Sequence, residues 1–94
     1  MRESQIERPV CRFARDHGIL VLKLTALGGA QRGAPDRLFL KDGKSAFVEF
    51  KRPGQRPTPL QMKWLEDLCR EKFHATWIDD VEKGKEWIRG VFGL

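Results

Sequence analysis

A predicted β-hairpin in the middle of the 94-residue chain constrains the fold more than any other feature of the sequence. Two segments with strand-like composition, 36–40 and 45–51, flank the turn Lys41-Asp42-Gly43-Lys44, and an Asp-Gly pair in that position is typical of a tight hairpin. The two strands of a hairpin pair antiparallel, so their outer ends come to lie side by side. We therefore expect Asp36 and Glu49 to meet at one end of a sheet.

The remaining segments predict a single α/β domain over residues 1–94, with the element order α-β-β-β-α-β-α. Predicted helices cover 4–17, 59–72 and 81–89, and predicted strands cover 19–24, 36–40, 45–51 and 74–78. Pro9 lacks an N–H, so we expect an irregular turn in the first helix. A loop with Gly28, Gly29 and Gly33 precedes the hairpin.

The charge balance makes nucleic acid the first partner to consider. The chain has 18 Lys+Arg against 13 Asp+Glu, a net charge of +5, and basic domains of this kind attract polyanions. No apolar run is long enough to span a bilayer or to act as a secretory signal, so we expect an intracellular, cytoplasmic protein. Cys11 and Cys69 form no CxxC pair, which argues against a zinc site or a disulfide framework.

Three residues of the hairpin could carry chemistry. Glu49 and Lys51 are two apart on one strand and so share a face, while Asp36 opens the neighbouring strand. Two adjacent carboxylates repel unless a cation lies between them, and oxygen ligands select Mg²⁺ or Mn²⁺. A lysine beside such a site could orient an attacking water, as phosphodiester hydrolysis requires. The alternative is that Asp36 is a turn residue and that Glu49 and Lys51 form a solvated strand face.

These residues resemble a known nuclease signature. Pro35-Asp36 followed by Glu49-Phe50-Lys51 resembles the PD-(D/E)XK motif. More narrowly, the chain resembles the VRR-NUC family over nearly its whole length. The further features of this resemblance are Glu3-Ser4-Gln5-Ile6-Glu7, the glycine-rich loop, Phe47-Val48-Glu49-Phe50-Lys51-Arg52, and Gln61 before Trp64. The resemblance implies a restriction-endonuclease-like core, in which helices flank a mixed four-stranded sheet.

The resemblance also implies a divalent metal held by Asp36, Glu49 and the backbone carbonyl of Phe50, with an acidic residue from the first helix. Glu3 and Glu7 are the two candidates. On a helical wheel Glu3 lies about 35° and Glu7 about 75° from the centre of the apolar stripe. Glu3 is therefore favoured, and Glu7 has an alternative role in a capping box with Ser4.

Gln61 has two possible roles. The resemblance implies that it belongs to the active site, where it would support Lys51 or a phosphate. Its spacing from Thr58 also predicts a capping box at the start of the second helix.

Basic residues near the hairpin are candidates for contacts with DNA phosphates. They are Arg32, Arg37, Arg52, Arg56 and Lys63. The sequence has no recognition-helix or zinc-finger motif, so we expect recognition of backbone and shape rather than of base sequence.

The sequence thus predicts a metal-dependent, structure-specific DNA endonuclease. Because one active site cuts one strand, paired cuts need two sites, and a C₂ homodimer would match the symmetry of a four-way (Holliday) junction. Trp87, Ile88, Val91 and Phe92 are the candidates for the dimer surface. The alternatives are a monomeric flap or nicking nuclease and a non-catalytic DNA-binding module.

Overall fold

The computed structural model describes residues 1–24 and 31–94. The helices are α1 (Ser4–Asp16), α2 (Pro59–Arg70) and α3 (Val81–Phe92), and the strands are β1 (Leu20–Lys23), β2 (Arg37–Lys41), β3 (Lys44–Phe50) and β4 (His74–Ile78). This order confirms the predicted α-β-β-β-α-β-α chain. Two of the predicted loop glycines, Gly28 and Gly29, lie outside the described residues. In the described part, no helix is long and apolar enough to cross a membrane.

The four strands form one mixed sheet with the order β1-β2-β3-β4. The first three strands are antiparallel neighbours, and β4 pairs parallel with β3. Asp42 and Gly43 have φ values of 51° and 76°, the backbone of a tight hairpin turn whose twist matches that of its strands. The pairing of Arg37 with Val48 places the preceding Asp36 beside the following Glu49, as predicted.

The hydrophobic core lies between one face of this sheet and the helices α1 and α3. Phe39, Val48 and Phe50 point from the sheet into this layer and are fully buried. Gly84 of α3 lies so close to α1 that a Cβ atom would come within 2.8 Å of Val10 Cγ2. The other face of the sheet carries α2, which packs chiefly against β4.

The first helix begins differently from the prediction. It runs from Ser4 to Asp16 without interruption at Pro9, which removes only one intrahelical hydrogen bond. The predicted capping box of Ser4 and Glu7 is wrong, because the N-cap is Glu3 and no side chain caps the helix. The Glu7 carboxylate instead accepts a hydrogen bond from Arg37 Nε at 2.9 Å.

The predicted dimer surface on the last helix is wrong for Ile88 and Phe92. Ile88 is 0% and Phe92 6% exposed, and both belong to the core of the chain, while Trp87 and Val91 pack against that core half-buried. The helix extends to Phe92, three residues beyond its predicted end, and closes at Gly93 in the left-handed conformation. Phe92 therefore lies one turn beyond Ile88 on the buried side of the helix.

Candidate active site

Glu49 is a buried carboxylate with one oxygen held and one oxygen unpartnered. It lies near the end of β3, on the face toward α2, and is 3% exposed. Its Oε2 accepts a hydrogen bond from Gln61 Nε2 at 3.1 Å and lies 3.5 Å from Lys51 Nζ. Among the described residues, Oε1 has no hydrogen-bond partner. A buried carboxylate oxygen without a hydrogen-bond partner costs folding free energy, and a bound ligand would offset that cost.

Asp36 lies beside Glu49 because the hairpin register brings it there. Its Oδ2 accepts a hydrogen bond from the Phe50 backbone N–H at 2.9 Å, and its carbonyl accepts one from the Leu24 N–H at 3.0 Å. The residue is thereby tied to both neighbouring strands, and its carboxylate has a fixed direction. Phe50, which donates this hydrogen bond, lies between Glu49 and Lys51 in the sequence, and so does its backbone carbonyl.

Burial raises the pKa of both carboxylates. Burial, followed by the charge of Asp36, raises the pKa of Glu49 to about 7. Burial also raises the pKa of Asp36, although the hydrogen bond from the Phe50 N–H opposes this shift. The site therefore concentrates negative charge where water cannot screen it, and a bound cation would relieve the repulsion.

Lys51 is the cationic residue of the cluster. It is only 7% exposed, and its backbone N–H donates to the Ile78 carbonyl at 2.9 Å, which holds the side chain beside Glu49. At this exposure, protein atoms rather than water surround the Lys51 side chain. The alternative interpretation of Glu49 and Lys51 as a solvated strand face is therefore wrong.

The two candidate carboxylates of the first helix, Glu3 and Glu7, lie in different electrostatic environments. Burial and the charge of Asp36 raise the pKa of Glu3, while Lys51 lowers it, so Glu3 interacts with the active-site charges. Glu7 forms an ion pair with Arg37 at 2.9 Å. The charge of Glu7 is thus matched by a cation, whereas Glu3 takes part in no ion pair within residues 1–24 and 31–94. The role of Glu3 as the helix carboxylate stays a prediction.

Gln61 forms the predicted capping box and also contacts the carboxylate cluster. Its backbone N–H donates to Thr58 Oγ1, and its Oε1 accepts from the Thr58 N–H, which completes the capping box of α2. The Nε2 group of the same side chain donates to Glu49. Its partner in the cluster is therefore Glu49 rather than Lys51.

The candidate DNA-binding residues lie in different environments. Arg56 lies 5.7 Å from the centroid of the Trp77 ring, and Trp77 pairs with Glu49 across β3 and β4, so Arg56 lies near the carboxylates. Arg52 is exposed in the same connection. Lys63 is exposed and pairs with Asp67 on its own helix. The other two candidates are the exposed Arg32 and the half-buried Arg37, whose guanidinium is engaged by Glu7.

The structure adds two contacts that hold the loops around the site. Trp64 Nε1 donates to the Arg32 carbonyl at 2.9 Å, and Gly33 next to it has a φ of +79° and lies against Leu60. The Asp79 carboxylate accepts from the Gly54 N–H at 3.2 Å in the basic connection. Neither contact has a local sequence signal, because each joins residues more than 20 positions apart.

The donor set fits a hard divalent cation. Within residues 1–24 and 31–94, no three His, Cys, Asp or Glu side chains form a group that could hold an ion by themselves. Mg²⁺ is commonly bound by one or two carboxylates, and water and substrate phosphate supply the other ligands. Asp36, the unpartnered Oε1 of Glu49 and the Phe50 carbonyl match that pattern, and all three donors are oxygen atoms.

The mixed sheet between α1/α3 and α2, with Asp36, Glu49 and Lys51 at one end, defines a restriction-endonuclease-like domain. A sequence model of the VRR-NUC domain matches residues 6–79, and the chain belongs to this family. A solved structure described as a VRR_NUC domain superposes with a TM-score of 0.81 at 25% identity, covering 96% of this chain and 97% of that one. A curated relative from Acyrthosiphon pisum secondary endosymbiont phage 1, "Putative nuclease p44", is 42% identical over 64 residues, 67% of each chain. These findings support a nuclease.

Proposed function

We propose that the chain is a Mg²⁺- or Mn²⁺-dependent DNA endonuclease that cuts branched DNA, such as four-way junctions, as a homodimer. The observation that carries the proposal is the buried Glu49 carboxylate beside Asp36 and Lys51, whose Oε1 has no hydrogen-bond partner in the part of the chain that the structure describes. Asp36, Glu49 and the Phe50 carbonyl would hold the metal, with Glu3 contributing directly or through water. When bound, such an ion polarises the scissile phosphate and lowers the pKa of a water molecule.

The protein residues have separate tasks in this proposal. Lys51 orients the hydrolytic water and offers positive charge to the phosphate as negative charge develops on it. Gln61 fixes the orientation of Glu49 through its hydrogen bond to Oε2. The exposed cations Arg32, Arg52 and Arg56 contact the DNA backbone, so binding weakens steeply with added salt.

Cleavage of labelled DNA tests the proposal directly. Four-way junction, 5′-flap, single-stranded and duplex DNA would each be incubated with Mg²⁺, Mn²⁺ or EDTA. We expect cuts on two opposed strands of the junction in either metal and none in EDTA. Cleavage of the flap alone would favour a monomeric nicking enzyme, and binding without cleavage in any metal would overturn the nuclease assignment.

Matched variants separate loss of chemistry from loss of folding. Asp36→Asn and Lys51→Ala should abolish cleavage while DNA binding persists. Asp67→Asn and Lys44→Ala remove the same charges at exposed or half-exposed positions away from the cluster, and they should retain activity. Equal losses in both sets would contradict the proposed site.

A further inference from the structure

The helices α1 and α3 form a groove on the side that faces away from the sheet. Gly84 of α3 lies against Val10 of α1, and further along both helices Lys85 and Arg89 lie over the ring of Phe13. The two helices therefore run in the same direction. The groove between them has a volume of about 300 Å³. We name it the α1–α3 groove, lined by Arg8, Pro9, Arg12, Phe13, Asp16 and Lys85.

The α1–α3 groove begins at the same end of the domain as the candidate active site. Glu3, just before α1, lies close enough to Asp36 and Lys51 for their charges to shift its pKa. The strand β4 ends at Ile78, whose carbonyl accepts from the Lys51 N–H, and α3 starts three residues later. Both helices therefore lead away from the carboxylates, and so does the groove between them.

On the α1 side, two arginines and one acidic residue line the groove. Arg8 and Arg12 are exposed and lie one helical turn apart. Within residues 1–24 and 31–94, neither forms an ion pair. Asp16, one turn further along, is the only acidic lining residue in the described part of the chain. The α1 side thus offers two guanidinium groups to an anion, against a single opposing charge.

On the α3 side, two cations lie over an aromatic ring. Lys85 Nζ lies 5.8 Å and Arg89 Cζ 4.8 Å from the centroid of the Phe13 ring. The ring attracts both cations, so these contacts restrict where the two charges lie. Their acidic partners on α3, Glu82 and Glu86, have side chains that are 78% and 71% exposed. Ion pairs so exposed contribute little, so an incoming anion can replace them.

The position and length of this row of cations favour the DNA backbone over other anions. Arg8 and Arg12 lie about 8 and 14 Å beyond Glu3 along the helix axis. One strand of B-DNA places a phosphate about every 3.4 Å along its axis. The two arginines therefore match phosphates roughly two and four positions away from one at the active site. A small anion would engage only one part of the row, whereas a DNA strand held at the active site continues beyond it.

We propose that the α1–α3 groove binds the phosphate backbone of DNA that extends beyond the cleaved position; its part in cleavage rests on the proposed function. Arg8 and Arg12 contact phosphates from the α1 side. Lys85 and Arg89 contact them from the α3 side, and Phe13 forms the floor between the two pairs. Contacts of this kind read no base edges, so they strengthen binding to any sequence. The groove is a surface separate from the exposed arginines that the proposed function assigns near the carboxylates.

Fluorescence anisotropy with a labelled four-way junction, in EDTA to prevent cleavage, measures the contribution of the groove. We expect Arg8→Ala with Arg12→Ala to raise the dissociation constant about tenfold. The same variant should lower the salt dependence, the slope of log K against log salt, by about two, because two phosphate contacts are lost. Lys44→Ala with Lys72→Asn is the matched control, since it removes two exposed positive charges outside the groove. Asparagine suits the positive φ of Lys72, and this control should change the dissociation constant less than about twofold.

Asp16→Asn tests the groove in the opposite direction. It removes the acidic residue from the groove and should tighten binding to the junction about threefold. Asp42→Asn removes the same charge at the exposed hairpin turn and should leave the dissociation constant unchanged. Circular dichroism checks that each variant is folded.

The outcomes separate this inference from the proposed function. Weaker binding in the double arginine variant than in the double lysine control, together with tighter binding in Asp16→Asn, supports the groove even if no DNA is cleaved in any metal. Equal dissociation constants for the two double variants, or no tightening in Asp16→Asn, overturn the groove even if the unmodified chain cleaves DNA. An unmodified chain that does not bind the junction overturns it as well.

Discussion

The Gln61 side chain links the N-terminus of α2 to the buried carboxylate of Glu49. Its Oε1 accepts from the Thr58 N–H at 2.9 Å, and its Nε2 donates to Glu49 Oε2 at 3.1 Å. The cap holds the amide in the orientation that the contact with Glu49 requires. Of the two Glu49 oxygens, this contact engages Oε2, whereas Oε1, the proposed metal ligand, has no hydrogen-bond partner among the described residues.

Substitution of Gln61 should therefore affect stability and cleavage separately. Gln61→Ala should lower stability by about 1 kcal/mol through the lost cap and should also reduce cleavage about tenfold, because Glu49 loses a positioning donor. Thr58→Ala is the control, since it removes the hydroxyl cap and leaves the Glu49 contact in place. Thermal unfolding and single-turnover cleavage measure the two effects. Equal losses of cleavage in both variants would show that the Glu49 contact has no role of its own.

Glu49 should make the metal-free protein less stable as pH rises. Its pKa is raised from 4.5 to about 7 in the folded state, so the folded protein binds the proton more tightly than the unfolded chain. The resulting stability is fully present below pH 4.5 and is lost as pH rises through 7. Glu49→Gln removes this dependence and should stabilise the metal-free protein at pH 8 by about 1–3 kcal/mol, while abolishing cleavage.

Urea unfolding in EDTA at several pH values measures the Glu49 effect. Glu86→Gln changes a largely exposed carboxylate on α3 and should follow the unmodified chain at every pH. Adding Mg²⁺ at pH 8 should stabilise the unmodified chain and not Glu49→Gln, because only a metal bound to the folded state shifts unfolding. A Glu49→Gln protein less stable than the unmodified chain at pH 8 in EDTA would contradict the argument.

Gly33 should be required for the close packing of Arg32 and Gly33 on α2. A Cβ atom at Gly33 would lie 2.7 Å from Leu60 Cγ, and φ is +79°. Gly33→Ala should destabilise the protein by about 2 kcal/mol, from backbone strain and the clash together, and should weaken DNA binding by displacing Arg32. Gly54 is the matched control, with φ of +81° and nothing within 4 Å of its Cβ position.

The two Gly33 contributions can be separated by a double variant. Gly54→Ala should cost about 1 kcal/mol from the backbone alone. Leu60→Ala removes the two nearest atoms and leaves Trp64 Cδ1 at 3.2 Å from the Cβ position, so Gly33→Ala should cost less in that background than in the unmodified chain, close to the cost of Gly54→Ala. Chemical denaturation of the unmodified chain, the three single variants and the double variant gives the comparison. Equal costs for Gly33→Ala and Gly54→Ala in the unmodified background would remove the packing argument.

The two glycines inside α3 should respond in opposite directions to alanine. At Gly84, a Cβ atom would meet Val10 Cγ2 at 2.8 Å, whereas nothing lies within 4 Å of the Cβ position at Gly90. Gly84→Ala should destabilise the protein by about 1–3 kcal/mol by forcing α1 and α3 apart. Gly90→Ala should stabilise it by about 0.5–1 kcal/mol, because alanine favours the helix. Thermal unfolding distinguishes them, and stabilisation by both substitutions would show that the helices can separate freely.

Local sequence patterns were sufficient to predict the order of the helices and strands. The Asp42-Gly43 turn, the apolar alternation of its strands and the cap formed by Thr58 and Gln61 all depend on residues within a few positions of one another. For the same reason, the pairing of Asp36 with Glu49 could be predicted, since a short hairpin determines which residues lie opposite each other. Element ends were less certain, and α3 extended past its predicted end to Phe92.

Long-range packing determined the features that could not be predicted from the sequence. Glu7 pairs with Arg37, 30 positions away, so its local capping pattern with Ser4 was misleading. The burial of Glu49, which raises its pKa, requires α2 to bring Gln61 against it and cannot be inferred from strand alternation. Ile88 and Phe92 are buried by α1 and the sheet. Leu20 and Leu22 remain exposed because α1 packs on the opposite side of β1 and, in the described part of the chain, no helix packs on theirs. Apolar residues in strands and helices look alike in sequence, and only the placement of the other elements decides which of them face solvent.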